Sequence, residues 1–258
     1  MEAITSYKDF ILDSIPEIRQ FKQKKFPWRT NRKGQEYAII TEMKANHKDF
    51  AEAVDGLGDE LERDDVFNSY ENGLYTGFIA TLMWGGYHKI LHTKSQLDAV
   101  LSVGKDNVEN IIAKVDKMLS ENRIQDAFIA LESGDCHIKG IGTSYLTKIL
   151  FFLGKGKSLP ELPLIYDNVQ GWTHAALLID DNAVDVKEYY TNQKNSLGKS
   201  KKDIELYMDY IKRMNLISRS HDLEPDRLEA YLFGSNTRSK NKAENPRLLT
   251  RNYVERFL

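Results

Sequence analysis

The chain has 258 residues, 41% of them apolar and 29% charged, with a formal net charge of −2 and a single cysteine, Cys136. That length holds one large domain or two small ones with a sizeable core, and the interleaving of apolar and charged positions marks a folded rather than a disordered chain. One cysteine excludes an intrachain disulfide, an all-cysteine zinc site and a four-thiolate iron–sulfur cluster, and near-neutrality excludes a protein that coats nucleic acid through bulk charge.

The opening MEAITSYKDFILDSIPEIRQ is acidic and lacks the basic start and apolar core of a signal peptide, and no apolar run reaches the roughly 18 residues of a membrane span, so a cytoplasmic location is expected. Over 5–20, Tyr7, Phe10, Ile11, Ile15 and Ile18 fall near helical spacing, with Pro16 interrupting or restarting the helix. A basic run follows: Lys22, Lys24, Lys25, Arg29, Arg32 and Lys33, without an acid. Further on, an acidic run holds Asp49, Glu52, Asp55, Asp59, Glu60, Glu62, Asp64 and Asp65. Such segregation permits a local phosphate-binding face; its plain alternative is two solvated surface runs. The stretch EYAIITEMKANHKDFAEAVDGLG reads mostly as helix, although Tyr37, Ile39 and Ile40 would suit a short strand, and Gly56 and Gly58 stop it.

NGLYTGFIATLMWGGYHKILH is apolar nearly all round, which predicts a buried central helix ended by Gly85 and Gly86. KDNVENIIAKVDKMLS places Val108, Ile111, Ile112, Val115 and Leu119 on one helical face. Short helices are expected in NRIQDAFIALES and SYLTKILFFLG, then a loop broken by Gly156, Pro160 and Pro163, then helices in DNVQGWTHAALLI, DIELYMDYIKRMNLIS and EPDRLEAYLFG. The last segment, with Arg238, Lys240, Lys242, Arg247, Arg251 and Arg256 against Glu244 and Glu255, reads as a mobile basic tail or a second phosphate contact. The expected class is therefore all-α, mainly helical with little sheet.

Chemistry concentrates between His137 and Trp172. In KGIGTS, Gly140 and Gly142 permit positive φ and bring backbone amides close to an outside group, while Thr143 is placed to cap the following helix. Unpaired amides and the positive end of the helix dipole would hold one phosphate there; without a ligand the same residues make a tight turn between helices. Asp167 stands one helix and one proline-bearing loop further on, at the start of the next helix, where the dipole favours an ionised carboxylate. Such a group can stabilise a cationic sugar as a glycosidic bond breaks and orient or deprotonate the attacking water, or it can simply cap the helix.

IKGIGTSYLTKILFFLGKG…LPLIYDNVQGW resembles the helix–hairpin–helix DNA glycosylase superfamily, which includes endonuclease III, MutY and 8-oxoguanine glycosylase, and PDRLEAYLFG is similar to the 8-oxoguanine glycosylase side of it. The resemblance implies two helical subdomains flanking a DNA-binding cleft, one over 70–162 with the hairpin and one formed by 1–69 and 163–258. It makes Lys139, Gly140, Ile141, Gly142, Thr143 and Ser144 the DNA-binding hairpin, in the family often with a monovalent cation on its carbonyls, and Asp167 the catalytic carboxylate. Bifunctional members carry a Schiff-base lysine two residues after the second hairpin glycine. Here that position is Ser144, as in the monofunctional adenine glycosylases, so hydrolysis to an abasic site without strong strand cleavage is expected. Lys148, one turn along the helix, and Lys139 are read as phosphate contacts or solvated lysines, with a displaced amine nucleophile as the alternative.

A glycosylase holds its flipped base against aromatic walls. The candidates are Trp84, Tyr87, Tyr166 and Trp172, with Trp28 in the basic run; each is alternatively core. No organic cofactor, metal or iron–sulfur cluster is implied beyond that monovalent cation. The expected partner is double-stranded DNA carrying a modified base. The short chain is similar to compact bacterial phage-defence glycosylases, which implies a hypermodified phage base such as glucosylated 5-hydroxymethylcytosine and a place in the bacterial cytosol and nucleoid. Alternatives are repair of oxidised or alkylated purines and a noncatalytic DNA-binding module.

Overall fold

The computed structural model describes residues 4–31, 33–89, 93–182, 201–234 and 245–258. These residues form 14 α-helices and one two-stranded sheet, in agreement with the all-α expectation. They divide into two compact units, Lys25–Pro163, and Met1–Lys24 with Leu164–Leu258. No described helix is long and apolar enough to cross a membrane.

The contiguous unit runs β1 (Phe26–Pro27), α3 (Ala38–Asn46), α4 (Lys48–Asp55), β2 (Glu60–Leu61), α5 (Arg63–Glu71), α6 (Leu74–Trp84), α7 (Thr93–Leu101), α8 (Lys105–Ser120), α9 (Ile124–Glu132) and α10 (Thr143–Gly154). Its spine is α6, whose Phe78, Ile79, Leu82 and Met83 are all fully buried, with α4, α5, α8 and α10 packed around it. Gly77 lets α5 approach: a Cβ there would lie 2.2 Å from the Tyr70 ring, and the Tyr70 hydroxyl shares a 3.0 Å hydrogen bond with Thr81. This packing puts 25–69 in the hairpin unit, whereas the sequence reading grouped those residues with the two ends of the chain.

Two helices of this unit were not foreseen. In α5, the Asp65 carboxylate reaches back to accept from the Glu62 N–H at 3.0 Å, a capping device hidden within the acidic run. In α7 only Leu97, Val100 and Leu101 are buried, too sparse a stripe to stand out. The charged runs meet through β1 and β2, antiparallel with Phe26 opposite Leu61. Lys25 pairs with Glu62 and Asp65 at 3.6 and 3.5 Å. Arg29 pairs with Asp59 at 3.3 Å and donates to the carbonyls of Val54 and Leu57. Two of the six basic residues, Lys25 and Arg29, are therefore paired with the acidic run, so the two runs are not separate solvated stretches throughout; Arg32 lies outside the described residues.

The other unit contains α1 (Tyr7–Asp13), α2 (Ile15–Gln20), α11 (Asn168–Asp180), α12 (Lys201–Ser220), α13 (Pro225–Phe233) and α14 (Pro246–Glu255). Pro16 restarts the helix in the first turn of α2, where a missing N–H costs nothing. Helix α11 is buried nearly throughout and packs on α1, α13 and α14. The Tyr7 hydroxyl shares a 2.9 Å hydrogen bond with Thr250, and the Tyr253 hydroxyl donates to Asp180. The described residues 246–255 are thus a packed helix, with Pro246, Thr250, Tyr253 and Val254 buried, which sets aside the mobile tail, the first of the two alternatives, over that stretch. Arg238, Lys240 and Lys242 lie outside the described residues.

Candidate active site

The hairpin joins α9 to α10 within the contiguous unit. Gly140 adopts φ +99°, a region an L-residue rarely enters, and a Cβ there would meet Val100 at 3.0 Å and the Tyr87 hydroxyl at 3.2 Å. Gly142 differs from expectation: its φ of −89° is open to any residue, and it, not Thr143, is the N-cap of α10. A Cβ at Gly142 would meet nothing within 4 Å, so nothing inside the protein requires glycine there. Ile141 is buried and anchors the turn, its N–H donating to the Ile138 carbonyl at 3.0 Å, whereas Lys139, Gly140 and Gly142 are exposed. No side chain caps α10, and the N–H groups of Gly142 and Ser144 make no hydrogen bond among the described residues. An uncapped, glycine-led start of a 12-residue helix is a place where an anion can approach the backbone closely.

Tyr87 belongs to the hairpin's support. Its hydroxyl donates to the Gly140 carbonyl at 2.8 Å, and its ring meets Tyr145 edge-on at 4.8 Å. Burial raises its phenol above the ordinary tyrosine value. The carbonyls of Ile138 and Gly140 each accept one hydrogen bond and keep a second lone pair. Neutral backbone carbonyls are the donor type that a monovalent cation takes. No group of three His, Cys, Asp or Glu suited to a metal ion occurs among the described residues.

Lys148 is not a surface lysine: it is 7% exposed. Its ammonium donates to the Ser144 Oγ at 2.7 Å and to the Ser144 carbonyl at 3.1 Å, and lies 5.2 Å from the centre of the Tyr145 ring. The i,i+4 geometry of α10 folds the chain of Lys148 back along the helix onto Ser144.

Asp167 begins α11 in the other unit, with extended backbone angles and a half-buried side chain. Its Oδ1 accepts from the N–H groups of Val169 and Gln170 at 2.9 and 3.1 Å. Among the described residues Oδ2 accepts nothing, so one oxygen is fixed by the helix and the other is available.

Interior groups that sequence reasoning passed over surround this helix start. Gln170 is fully buried and donates from Nε2 to the carbonyl and Oε1 of Glu229, at 3.0 and 2.9 Å. Glu229 is a fully buried carboxyl group on α13. Its sequence signal was a glutamate three residues before Leu232 on an apolar face. Tyr210 is fully buried; burial, then the negative charges of Glu229 and Asp167, push its phenol well above its usual value.

The remaining aromatic candidates are divided between the units. Trp84 is half-buried, edge-on to Phe152 at 5.4 Å and under the Arg63 guanidinium at 5.7 Å. Trp28 is core, fully buried with its indole N–H on the Gly58 carbonyl at 2.6 Å. In the other unit, Trp172 is half-buried with Arg251 5.8 Å from its ring centre. Tyr166 is also core: its hydroxyl meets His174 Nδ1 at 3.2 Å and its ring meets Tyr210 at 4.9 Å. His174 Nε2 in turn meets Asp209 at 2.9 Å. Burial lowers the His174 pKa against the pull of Asp209. Burial pushes the Asp209 carboxyl up, but hydrogen bonds from His174 and Arg213 outweigh it and hold it at about 2.

A family model described as "Putative 8-oxoguanine DNA glycosylase OGG-like protein" matches residues 19–233. The chain belongs to this family. The match takes in the hairpin, Asp167, Gln170 and Glu229, and OGG-like membership agrees with the helix–hairpin–helix resemblance, with a mainly helical fold, and with DNA as the partner of a glycosylase. No curated protein and no solved structure gives a significant match.

Proposed function

We propose that this OGG-like glycosylase is monofunctional: it flips a modified base out of duplex DNA and hydrolyses its N-glycosidic bond to leave an abasic site. The observation that carries this reading is the half-engaged carboxylate of Asp167, held by two amides through one oxygen only. Its charge would stabilise the cationic sugar as the base departs, and its second oxygen would orient and deprotonate water for attack at the anomeric carbon. The hairpin would hold a DNA phosphate at the exposed start of α10, and a monovalent cation on the Ile138 and Gly140 carbonyls would add positive charge there without entering the chemical step. Trp172, the half-buried candidate in the unit of Asp167, would wall the base pocket.

The favoured target is a hypermodified phage base such as glucosylated 5-hydroxymethylcytosine, in anti-phage defence; support for it is the likeness to compact phage-defence glycosylases. The family description favours a second target, an oxidised purine. Mass spectrometry of bases released from phage DNA carrying the glucosylated base, from 8-oxoguanine duplexes and from ordinary DNA separates the two. Release from none of them overturns the glycosylase reading and leaves a noncatalytic DNA-binding module, whereas equal release by Asp167→Asn overturns the role given to Asp167.

Lys148 supplies a second mechanism. Its ammonium on Ser144 Oγ would, once deprotonated, attack the anomeric carbon and displace the base; opening of the sugar ring would give an imine, from which elimination of the 3′-phosphate would break the strand. A borohydride-trapped protein–DNA adduct that disappears in Lys148→Ala would support it.

A further inference from the structure

We propose that Gln170 is the positioning residue for Asp167 and that Glu229 is the buried anchor that fixes it. The inference rests on the glycosylase reading and concerns how that reading's carboxylate is aimed.

Gln170 acts at both of its ends. Its backbone N–H donates to Asp167 Oδ1 at 3.1 Å, while its side-chain amide donates to two oxygens of Glu229. The first turn of a helix is the part that frays most readily, and an N-cap carboxylate can be aimed no better than the amides it accepts from. Here the third residue of that turn is fastened to α13, so the Asp167 rotamer is tied to the interior by two successive hydrogen bonds. Two acceptors at Nε2 also settle which way the amide faces.

Stability alone does not explain this choice. Gln170 and Glu229 are both fully buried, and Gln170 Oε1 has no hydrogen-bond partner. Apolar side chains of similar volume would fill the space without the desolvation cost of such groups. The Tyr210 hydroxyl, also buried without a hydrogen-bond partner, feels the charge of both Glu229 and Asp167, which places the anchor and the carboxylate in one electrostatic neighbourhood. What the interior polar set provides is a defined location for the start of α11, and a loss of about 1 Å in the aim of a reacting group costs on the order of 10²-fold in rate.

The test is single-turnover base release by the full chain, per folded molecule and well below its melting temperature, on whichever of two probes the wild type cleaves: an 8-oxoguanine duplex or DNA with glucosylated 5-hydroxymethylcytosine. Gln170→Leu strands the buried Glu229 and should lower the melting temperature, and per folded molecule it should lower the rate about 10²-fold with duplex affinity preserved, adding nothing to the loss in Asp167→Asn. Gln170→Glu, which opposes two buried carboxyl groups, should be similarly slow. Gln170→Glu with Glu229→Gln restores a donor–acceptor pair in exchanged order and should recover the rate to within about tenfold. A wild-type rate in Gln170→Leu, or recovery of melting temperature without recovery of rate in the exchanged pair, overturns the clamp while leaving Asp167 as the catalytic group. Failure of the wild type on both probes overturns the glycosylase reading and the clamp together.

Discussion

Two helix starts, one in each unit, use the same physical field in opposite ways. At α10 the cap is Gly142, exposed, with no side chain and free amides on either side of Thr143. At α11 the cap is Asp167, whose carboxylate occupies the place an outside anion would take. The comparison teaches that a helix N-terminus is left open to an outside anion or closed to it according to whether the chain supplies its own. A supplied anion also needs aiming, and the interior behind α11 is accordingly polar where the surroundings of the hairpin are aromatic.

The sharpest way to break this contrast is to neutralise the resident anion. Asparagine caps helices as well as aspartate does, so Asp167→Asn should keep the melting temperature while base release in single turnover falls by roughly 10³-fold. Loss of folding together with activity would reduce Asp167 to a cap. The reverse experiment fills the open helix start. Gly142→Val meets no steric obstacle and should leave the fold intact, yet weaken duplex affinity by on the order of tenfold through one displaced phosphate contact. Equal affinity in a salt titration would show that nothing approaches Gly142.

Smaller effects sharpen each end. If Lys148 serves the hairpin helix rather than the sugar, Lys148→Met should change base release by no more than about threefold, with no borohydride adduct in either protein. Near α11, His174 is held neutral: burial depresses its folded pKa below the unfolded value near 6.5. The unfolded chain then binds the extra proton, so the stability contributed is complete above that pH and declines as pH falls below it. A thermal titration should show this decline, and His174→Gln should flatten it.

Much of the fold was legible because its strongest helices are strongly patterned. KDNVENIIAKVDKMLS forms α8 over the residues read from its stripe, and the apolar run from Leu74 became the spine α6. The pieces that escaped lack such a stripe. Helix α5 is held by a capping carboxylate and by Tyr70 crossing Gly77, and β1 with β2 is only two residues per strand. The hairpin and Asp167 were visible as residues in order, since glycine and N-cap signals are local. Their refinements were not: that Gly142 has ordinary backbone angles, that Lys148 is buried on Ser144, and that Gln170 reaches a glutamate 59 residues away depend on tertiary contacts. The pairing of Lys25 and Arg29 with the acidic run likewise needed the two strands to bring the charges together.

The hydrogen bond between Tyr7 and Thr250 joins residues 243 apart, and it sets an order of assembly. During synthesis the segment Lys25–Pro163 is complete when Pro163 has been added, whereas the unit containing Asp167 waits for its last helix. At about 5–20 residues per second that wait is on the order of ten seconds. The nascent protein therefore completes its hairpin before the packing around its carboxylate, so a chain halted between the two stages would present the open start of α10 without the packed start of α11.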